Sequence, residues 1–326
     1  MNFLMKSVRY WIKVNPMQKR KAGIRAVLLS ATFLGFTPVF GKQAINLGFS
    51  PLAVVGIRTL MATLLLLIIV VVFRRKYLYI YPAGLIGCGL AGLFNGIGSI
   101  LYYSALGRIN ASLGQLLYSL YPLFVAIWLV LDSQPPNKLT LFRIALAMIA
   151  VFLLTYSESV TIDMVGVGQM LLASILYALH LPINQRVLYD VPAPTVTLYT
   201  LIAMSLVVVP VFLLLGHPIP SNASWYPIIG LTLVTFLSRL ALFQGVKYLG
   251  GMQTALLGLL ELLVAIGLSI TWLHEKLAQA QWIGAGILSL SILLMYFDKP
   301  ATVRKPAKSG WLGWLRPPTN FPPDLP

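Results

Sequence analysis

The amino-acid sequence predicts an all-α integral membrane protein in which ten transmembrane helices form two inverted five-helix repeats. Three observations support this fold class. Of the 326 residues, 58% are hydrophobic and only 10% are charged, a composition that an ordinary soluble domain would not tolerate. Apolar runs of roughly 18–25 residues, long enough to cross a bilayer as helix, recur along the chain. Segments of the two halves also align with each other.

The ten apolar runs follow a segment, residues 1–22, that mixes apolar and basic residues at near-helical spacing and predicts a cytoplasmic helix at the membrane surface. Loops rich in glycine, proline or basic residues separate the runs. The first five runs belong to one repeat, residues 23–157, and the last five to a second, residues 164–298. The runs cover residues 24–47, 51–73, 82–106, 111–131, 139–156, 166–188, 195–215, 225–247, 251–273 and 279–297.

Lysine and arginine predict the orientation of these helices. With the N-terminus inside, nineteen basic residues flank the cytoplasmic side, two flank the outside and three lie within spans, which accounts for all 24. Both termini are therefore expected in the cytoplasm of a multi-pass plasma membrane, the inner membrane if the cell is bacterial. The net charge of +16 then reflects topology and attraction to anionic lipids rather than binding of nucleic acid.

The C-terminal segment, residues 299–326, is first basic and then rich in proline. This composition predicts a disordered cytoplasmic tail. Within the tail, Trp311, Leu312, Trp314 and Leu315 are placed to enter the lipid headgroup region, where tryptophan is favoured.

The repeat is visible as an alignment of residues 103–131 with residues 243–271, at an offset of 140 residues. Each segment comprises the end of one span, a short turn and a new span. Pro51 and Pro194 likewise open corresponding spans. Because each half has an odd number of helices, the halves insert with opposite orientation, and inverted repeats of this kind are a transporter architecture with a substrate site near the midplane.

Two opposite charges, Arg239 and Glu261, lie deep inside apolar sequence. They flank the Gly250-Gly251 turn at similar distances, which predicts similar depth and allows them to face each other. Ionisable residues inside spans mark substrate or proton pathways by default, so Glu261 is predicted to be a proton-coupling residue. The alternative is a structural ion pair that locks two helices together.

Several short motifs resemble the drug/metabolite transporter superfamily, in the ten-helix form with two EamA domains, over residues 24–298. The sequence departs from that pattern at Pro135, where the first half usually has a glutamate, and at Leu262, where a proline is common. The loss of that proline leads us to expect a straighter ninth span. The matching motifs are Pro51-Leu-Ala-Val-Val-Gly-Ile-Arg58, Tyr102-Tyr-Ser-Ala-Leu106, Tyr121-Pro-Leu-Phe-Val-Ala126 and His274-Glu-Lys-Leu277 followed by Trp282-Ile-Gly284.

The resemblance implies an inward-facing cavity built from spans one, three and four and from spans six, eight and nine. Polar residues at helical spacing follow one face of these spans. Arg58 matches a family motif, but it lies in the outer third of its span and is interpreted as a structural residue that snorkels or bonds a backbone carbonyl. The predicted substrate-binding residues are Thr37, Asn95, Ser99, Tyr102, Gln115, Tyr118, Tyr177, His180, Asn184, Arg239 and Thr254.

The favoured function is a secondary transporter that exports a small organic solute, an amino acid or a related metabolite, as a monomer or weak homodimer. A membrane-embedded transferase using Glu261 and His180 is the alternative from another class. Nucleotide sugars, lipid-linked sugars and amphipathic drugs stay open as substrates. No catalytic residue and no cofactor are predicted, because the chain has no nucleotide-hydrolysis motif and its three histidines lack metal-ligand spacing.

Overall fold

The computed structural model describes residues 16–109, 111–155, 163–215, 224–272, 278–298 and 310–315. Within these ranges all regular secondary structure is helical, and short 3-10 turns occupy Arg75–Leu78 and Leu294–Tyr296. The helices are α1 Pro16–Gly35, α2 Thr37–Asn46, α3 Pro51–Phe73, α4 Pro82–Leu106, α5 Ala111–Tyr118, α6 Tyr121–Leu131, α7 Lys138–Thr155, α8 Met164–Leu188, α9 Ala193–Leu215, α10 Tyr226–Leu249, α11 Gly251–Gly258, α12 Leu260–Trp272 and α13 Gln279–Leu293.

Six helical stretches in the described ranges are long and apolar enough to cross a membrane. The chain is therefore a multi-pass membrane protein, while the count of ten spans stays a prediction. The six stretches are Met17–Asn46, Pro51–Phe73, Pro82–Leu106, Met164–Leu188, Ala193–Leu215 and Tyr226–Leu249, and shorter apolar helices cover Leu116–Leu131, Gly251–Val264 and Gln279–Leu293.

Helix starts follow from local capping chemistry. The Ser50 hydroxyl accepts a hydrogen bond from the Ala53 backbone N–H, and Pro51 occupies the first helical position of α3, where its missing N–H costs nothing. At α8 the Asp163 carboxylate accepts from the first free N–H groups of the helix. The Gly166 backbone N–H and the Arg108 guanidinium lower the pKa of Asp163.

Three spans are interrupted near their middle. α1 ends at Gly35 before the proline-containing α2, α5 ends at Tyr118 before α6, and α11 ends at Gly258 before α12. The expectation of a straighter ninth span is wrong, because this span breaks without a proline. The hydroxyl of Tyr121, from the other repeat, donates to the Ala255 carbonyl at 2.9 Å, and a side chain inserted at this level disturbs the helical ladder.

The two repeats interlock rather than stand side by side. α4 packs most extensively on α8, and α1 on α10, so each of these contacts joins a helix of the first repeat to one of the second. α4 also packs on α9. A Cβ on Gly92 would lie 2.5 Å from the Thr200 carbonyl oxygen, so glycine is needed where α4 approaches α9.

One end of the bundle is closed by buried charges; we name it the closed end and define it by residues 132–137, 189–192, 250 and 298. Arg186 of α8 binds Asp132 with two hydrogen bonds of 2.7 and 2.8 Å. Arg143 of α7 binds Asp298 at 2.9 Å, and both side chains are almost fully buried. Each of these pairs joins the two repeats.

Asp298 is the centre of a hydrogen-bond network at this end. Its carboxylate accepts from Asn137 at 2.7 Å and from Thr140 and Gln253 at 2.8 Å each. Desolvation opposes ionisation of Asp298, but these hydrogen bonds and the one from Arg143 outweigh it and lower the pKa of the carboxyl. The charged form is therefore the one that the fold stabilises.

Residues 310–315 form a turn against the closed end. Leu312 and Leu315 are 1% and 3% exposed, and the Leu312 N–H donates to Asp132 Oδ1 at 3.2 Å. Gly310 has a φ of +102°, which favours glycine. The expectation of disorder therefore does not apply to these six residues; the rest of the tail and residues 1–15 lie outside the described ranges.

We predict that Arg143→Met lowers the free energy of unfolding by about 3–5 kcal/mol, because it leaves the Asp298 charge buried without its partner. The double variant Arg143→Met/Asp298→Leu should recover most of that loss. Thermal unfolding in detergent measures both. The control is Arg108→Met at the exposed Arg108–Asp163 pair, which should cost no more than about 1 kcal/mol.

The same network predicts a pH dependence. Because the pKa of Asp298 is lowered in the folded protein, its contribution to stability is present above the ordinary carboxyl pKa and is lost as the pH falls through the lowered value.

Equal losses of unfolding free energy in Arg143→Met and Arg108→Met would contradict a stabilising network at the closed end.

Candidate functional site

A cavity lies where the two repeats meet. Its volume is about 90 Å³, and seven of the predicted spans contribute to its wall. The resemblance implied six of these spans, and the second span is the addition. The lining residues are Leu34, Gly35, Thr37, Arg58, Asn95, Gly98, Ser99, Tyr102, Tyr103, Tyr118, Tyr177, Arg239 and Glu261.

Eight of the residues predicted from the sequence line this cavity together. They come from α2, α4, α5, α8, α10 and α12, so helices far apart in sequence contribute to one site. These residues are Thr37, Asn95, Ser99, Tyr102, Tyr118, Tyr177, Arg239 and Glu261.

Three of the other four predicted residues lie outside the cavity lining, and nothing is described of the fourth, Gln115. Asn184 is fully buried and accepts a hydrogen bond from Thr200 at 3.1 Å, and Thr254 is also fully buried. Asn184 lies seven residues beyond Tyr177 and Thr254 lies seven residues before Glu261, in each case toward the closed end. Seven residues of helix span about 10 Å. The polar stripes therefore continue into packed protein. His180 lies behind the wall, and the Gln115 side chain is outside the described residues.

Arg239 is held by neutral acceptors. Its guanidinium donates to Asn95 Oδ1 at 3.4 Å and contacts His180 Nε2 at 3.5 Å. Because His180 Nδ1 faces the Tyr177 carbonyl, we assign the proton to Nδ1, which makes Nε2 an acceptor for Arg239. The guanidinium also lies 5.8 Å from the centre of the Tyr177 ring.

Glu261 lines the same cavity as Arg239, but no ion pair within 4.0 Å joins them among the described residues. The direct pairing that their equal depth suggests is therefore not formed. Distance from a turn fixes the height of a residue along its helix and leaves the direction of its side chain open. Here Arg239 points to α4 and α8, whereas Glu261 begins α12 beside α1.

Tyrosine rings form one wall of the cavity. The rings of Tyr102 and Tyr118 are 4.8 Å apart, and those of Tyr118 and Tyr177 are 5.3 Å apart. Tyr121, immediately behind, lies 5.0 Å from Tyr177. Rings in such edge and tilted contacts give a rigid surface that is apolar on its faces and polar at its hydroxyl groups, which suits the apolar part of a small solute.

Arg58 is the functional candidate that the sequence analysis set aside. The interpretation as a snorkelling residue does not agree with its position, because the side chain is only 8% exposed and lines the cavity. Its Nη1 donates to the Thr235 hydroxyl at 3.3 Å, and its guanidinium lies 5.0 Å over the Tyr103 ring. The sequence did contain a signal, because Arg58 belongs to a motif shared with the family, but the interpretation was based on its depth in the span.

We predict that substitutions along one stripe separate by position. Ser99→Ala and Tyr177→Phe should weaken solute binding about tenfold and leave thermal stability almost unchanged, since a lost ligand hydrogen bond is worth about 1.5 kcal/mol. Asn184→Ala and Thr254→Val should change stability and not affinity. Transport and unfolding assays on the same preparations measure both. Equal effects of the two pairs on affinity would contradict the boundary of the cavity drawn here.

Three comparisons with known proteins bear on this site. A model of the EamA-like transporter family matches residues 21–156 and again residues 164–297. A solved structure, described only as a crystal structure of a protein, is similar with a TM-score of 0.67 at 14% identity, covering 85% of this chain and 97% of that one. That likeness concerns the fold alone. No curated protein matches the chain.

Proposed function

Because the chain belongs to the EamA-like transporter family, we propose that it is a secondary active transporter that exports a small organic solute, an amino acid or a related metabolite, by alternating access. The supporting observation is the cavity at the meeting point of the two repeats, which is lined by polar and aromatic side chains. Family membership favours this function over a membrane-embedded transferase. The small volume of the cavity favours a small solute over nucleotide sugars or lipid-linked sugars.

Alternating access requires the closed end to open. Its contacts suit that task, because the Asp132–Arg186 and Arg143–Asp298 pairs each join the first repeat to the second. Buried ion pairs contribute little net stability relative to their hydrated state, since desolvation offsets most of the attraction. The pairs therefore separate at moderate cost if both partners become hydrated together, and inverted repeats exchange their conformations in such a step.

We further propose that the closed end faces the cytoplasm, because the basic residues of the chain concentrate at that end of the predicted spans. Both termini are then cytoplasmic and the basic flanks contact anionic lipids of the inner membrane. In this orientation the buried pairs of the closed end lie between the cavity and the cytoplasm, whereas the resemblance implied an inward-facing cavity.

Glu261 is the proposed proton site. Among the described residues it is the carboxylate that lines the cavity, and no ion pair restrains it there. Arg239 lies in the same wall, and its positive charge favours the ionised form of Glu261. A proton that enters from the open side neutralises the carboxylate. A carrier is coupled to protons when its central carboxylate exchanges protons with each side in turn.

The direct test is transport by the purified protein in liposomes. We expect uptake or counterflow of at least one radiolabelled amino acid or small organic acid. Exchange with protons predicts faster solute movement when an imposed pH gradient drives protons in the opposite direction. Empty liposomes and a variant with bulky residues in the cavity, Gly98→Trp, are the controls. If no solute moves under any gradient, the transporter proposal fails.

We predict that Glu261→Gln abolishes gradient-driven accumulation and leaves exchange of preloaded solute largely intact. Thermal stability should change little, because no ion pair is broken. Asp163→Asn, which removes an exposed carboxylate outside the cavity, is the matched control and should retain coupling. Proton-driven accumulation by a stable Glu261→Gln protein would show that coupling resides at another residue.

A further inference from the structure

Arg58 is a buried cation whose hydrogen-bonding capacity is mostly unused. Among the described residues no carboxylate lies within 4.0 Å of it. Within the described part of the chain its one hydrogen bond, to Thr235, is long at 3.3 Å, and its buried Nε has no partner there. The Tyr103 ring beneath the guanidinium supplies a further contact.

These contacts do not balance the burial of a full positive charge. A cation over an aromatic ring gains about 0.5–2 kcal/mol, whereas a buried charge without a partner costs several kcal/mol. The guanidinium presents five donors in a planar fork, a geometry that matches a carboxylate with two parallel hydrogen bonds. An anionic group in the cavity would satisfy the donors that the protein leaves open.

The neighbouring charges do not fill this role. Arg239 donates to Asn95 and contacts His180, and among the described residues none of its buried nitrogens lacks a partner, unlike Nε of Arg58. Glu261 is the single carboxylate among the lining residues, against two guanidinium groups. The lining therefore has a net positive charge even when Glu261 is ionised, which disfavours cations and favours anionic groups.

We propose that Arg58 binds the carboxylate of the transported solute. This inference rests on the proposed transport function and narrows it to solutes that have a carboxylate group. Tyr103 holds the guanidinium from below, and the wall of Tyr102 and Tyr118 packs against the remainder of the solute. Cationic amphipathic drugs and neutral sugars have no anionic group to neutralise the charge of Arg58.

The test compares amino acids with their carboxamides, which differ only in the carboxylate. Thermal unfolding of the purified full-length protein is titrated with the twenty amino acids, the matching carboxamides, benzoate and inorganic phosphate. We expect at least one carboxylate compound to stabilise the protein in a saturable manner, and its carboxamide to do so at least tenfold more weakly, because hydrogen bonds to a charged group contribute about 1.5–3 kcal/mol.

Three variants connect that effect to the residue. Arg58→Gln should raise the half-saturating concentration of the carboxylate about tenfold or more, and Arg58→Lys, which keeps the charge and loses the fork, should raise it by less. Arg75→Gln removes an exposed arginine whose guanidinium bonds the Val71 carbonyl, and it should leave the half-saturating concentration unchanged. If Arg58→Gln does not fold, Arg58→Lys alone decides, and an unchanged half-saturating concentration in that variant overturns the proposal.

Further outcomes would also overturn the proposal. They are equal stabilisation by acid and carboxamide, an unchanged half-saturating concentration of the carboxylate in Arg58→Gln, tighter binding of phosphate than of any carboxylate, or no stabilisation by any carboxylate. Failure of the transport proposal looks different. If a solute without a carboxylate is transported, transport stands and the Arg58 assignment falls, whereas an Arg58-dependent carboxylate effect without any transport supports the site and refutes the function.

Discussion

Charges buried among apolar helices are costly unless partners satisfy them, and the structure depends on how this constraint is met at two levels of the bundle. At the closed end, arginine meets aspartate directly, as in the Arg186–Asp132 pair. In the cavity, Arg239 and Arg58 meet amide, hydroxyl and aromatic groups. The first arrangement is complete without a ligand and holds the repeats together, while the second leaves donors for a solute.

The interruptions in the fourth and ninth spans place irregular backbone at the same level as these charges. α5 ends at Tyr118 and α11 ends at Gly258. These two positions are 140 residues apart, which is the offset of the sequence repeat. Broken backbone is tolerated at membrane depth where it is buried in protein or lines a cavity. Tyr121 of one repeat bonds Ala255 of the other beside this break, so the two interrupted spans support each other across the site.

The sequence was sufficient for the six long apolar helices, because their length, apolar composition and proline boundaries are local properties. Pro51 and Pro82 begin helices where the apolar runs begin. Site residues were harder to predict, because helical spacing groups residues on a stripe without showing where the cavity along it ends. Asn184 and Thr254 share these stripes but lie in packed protein outside the cavity lining. The burial of Arg58 could not be read from its depth, because the packing that buries it comes from distant segments.

The proposed export and the proposed carboxylate at Arg58 together constrain the rest of the solute. Arg58 and Glu261 line the same cavity, so a solute bound there lies close to both charges. A carboxylate alone would favour a proton on Glu261, so that solute and proton bind together and an inward proton gradient drives uptake. Export in exchange for protons requires the solute and the proton to exclude each other. An ammonium group beside Glu261 has that effect, because it replaces the proton as the counter-charge. A proton-driven exporter with this cavity therefore requires a zwitterion, whose carboxylate occupies Arg58 and whose ammonium competes for Glu261.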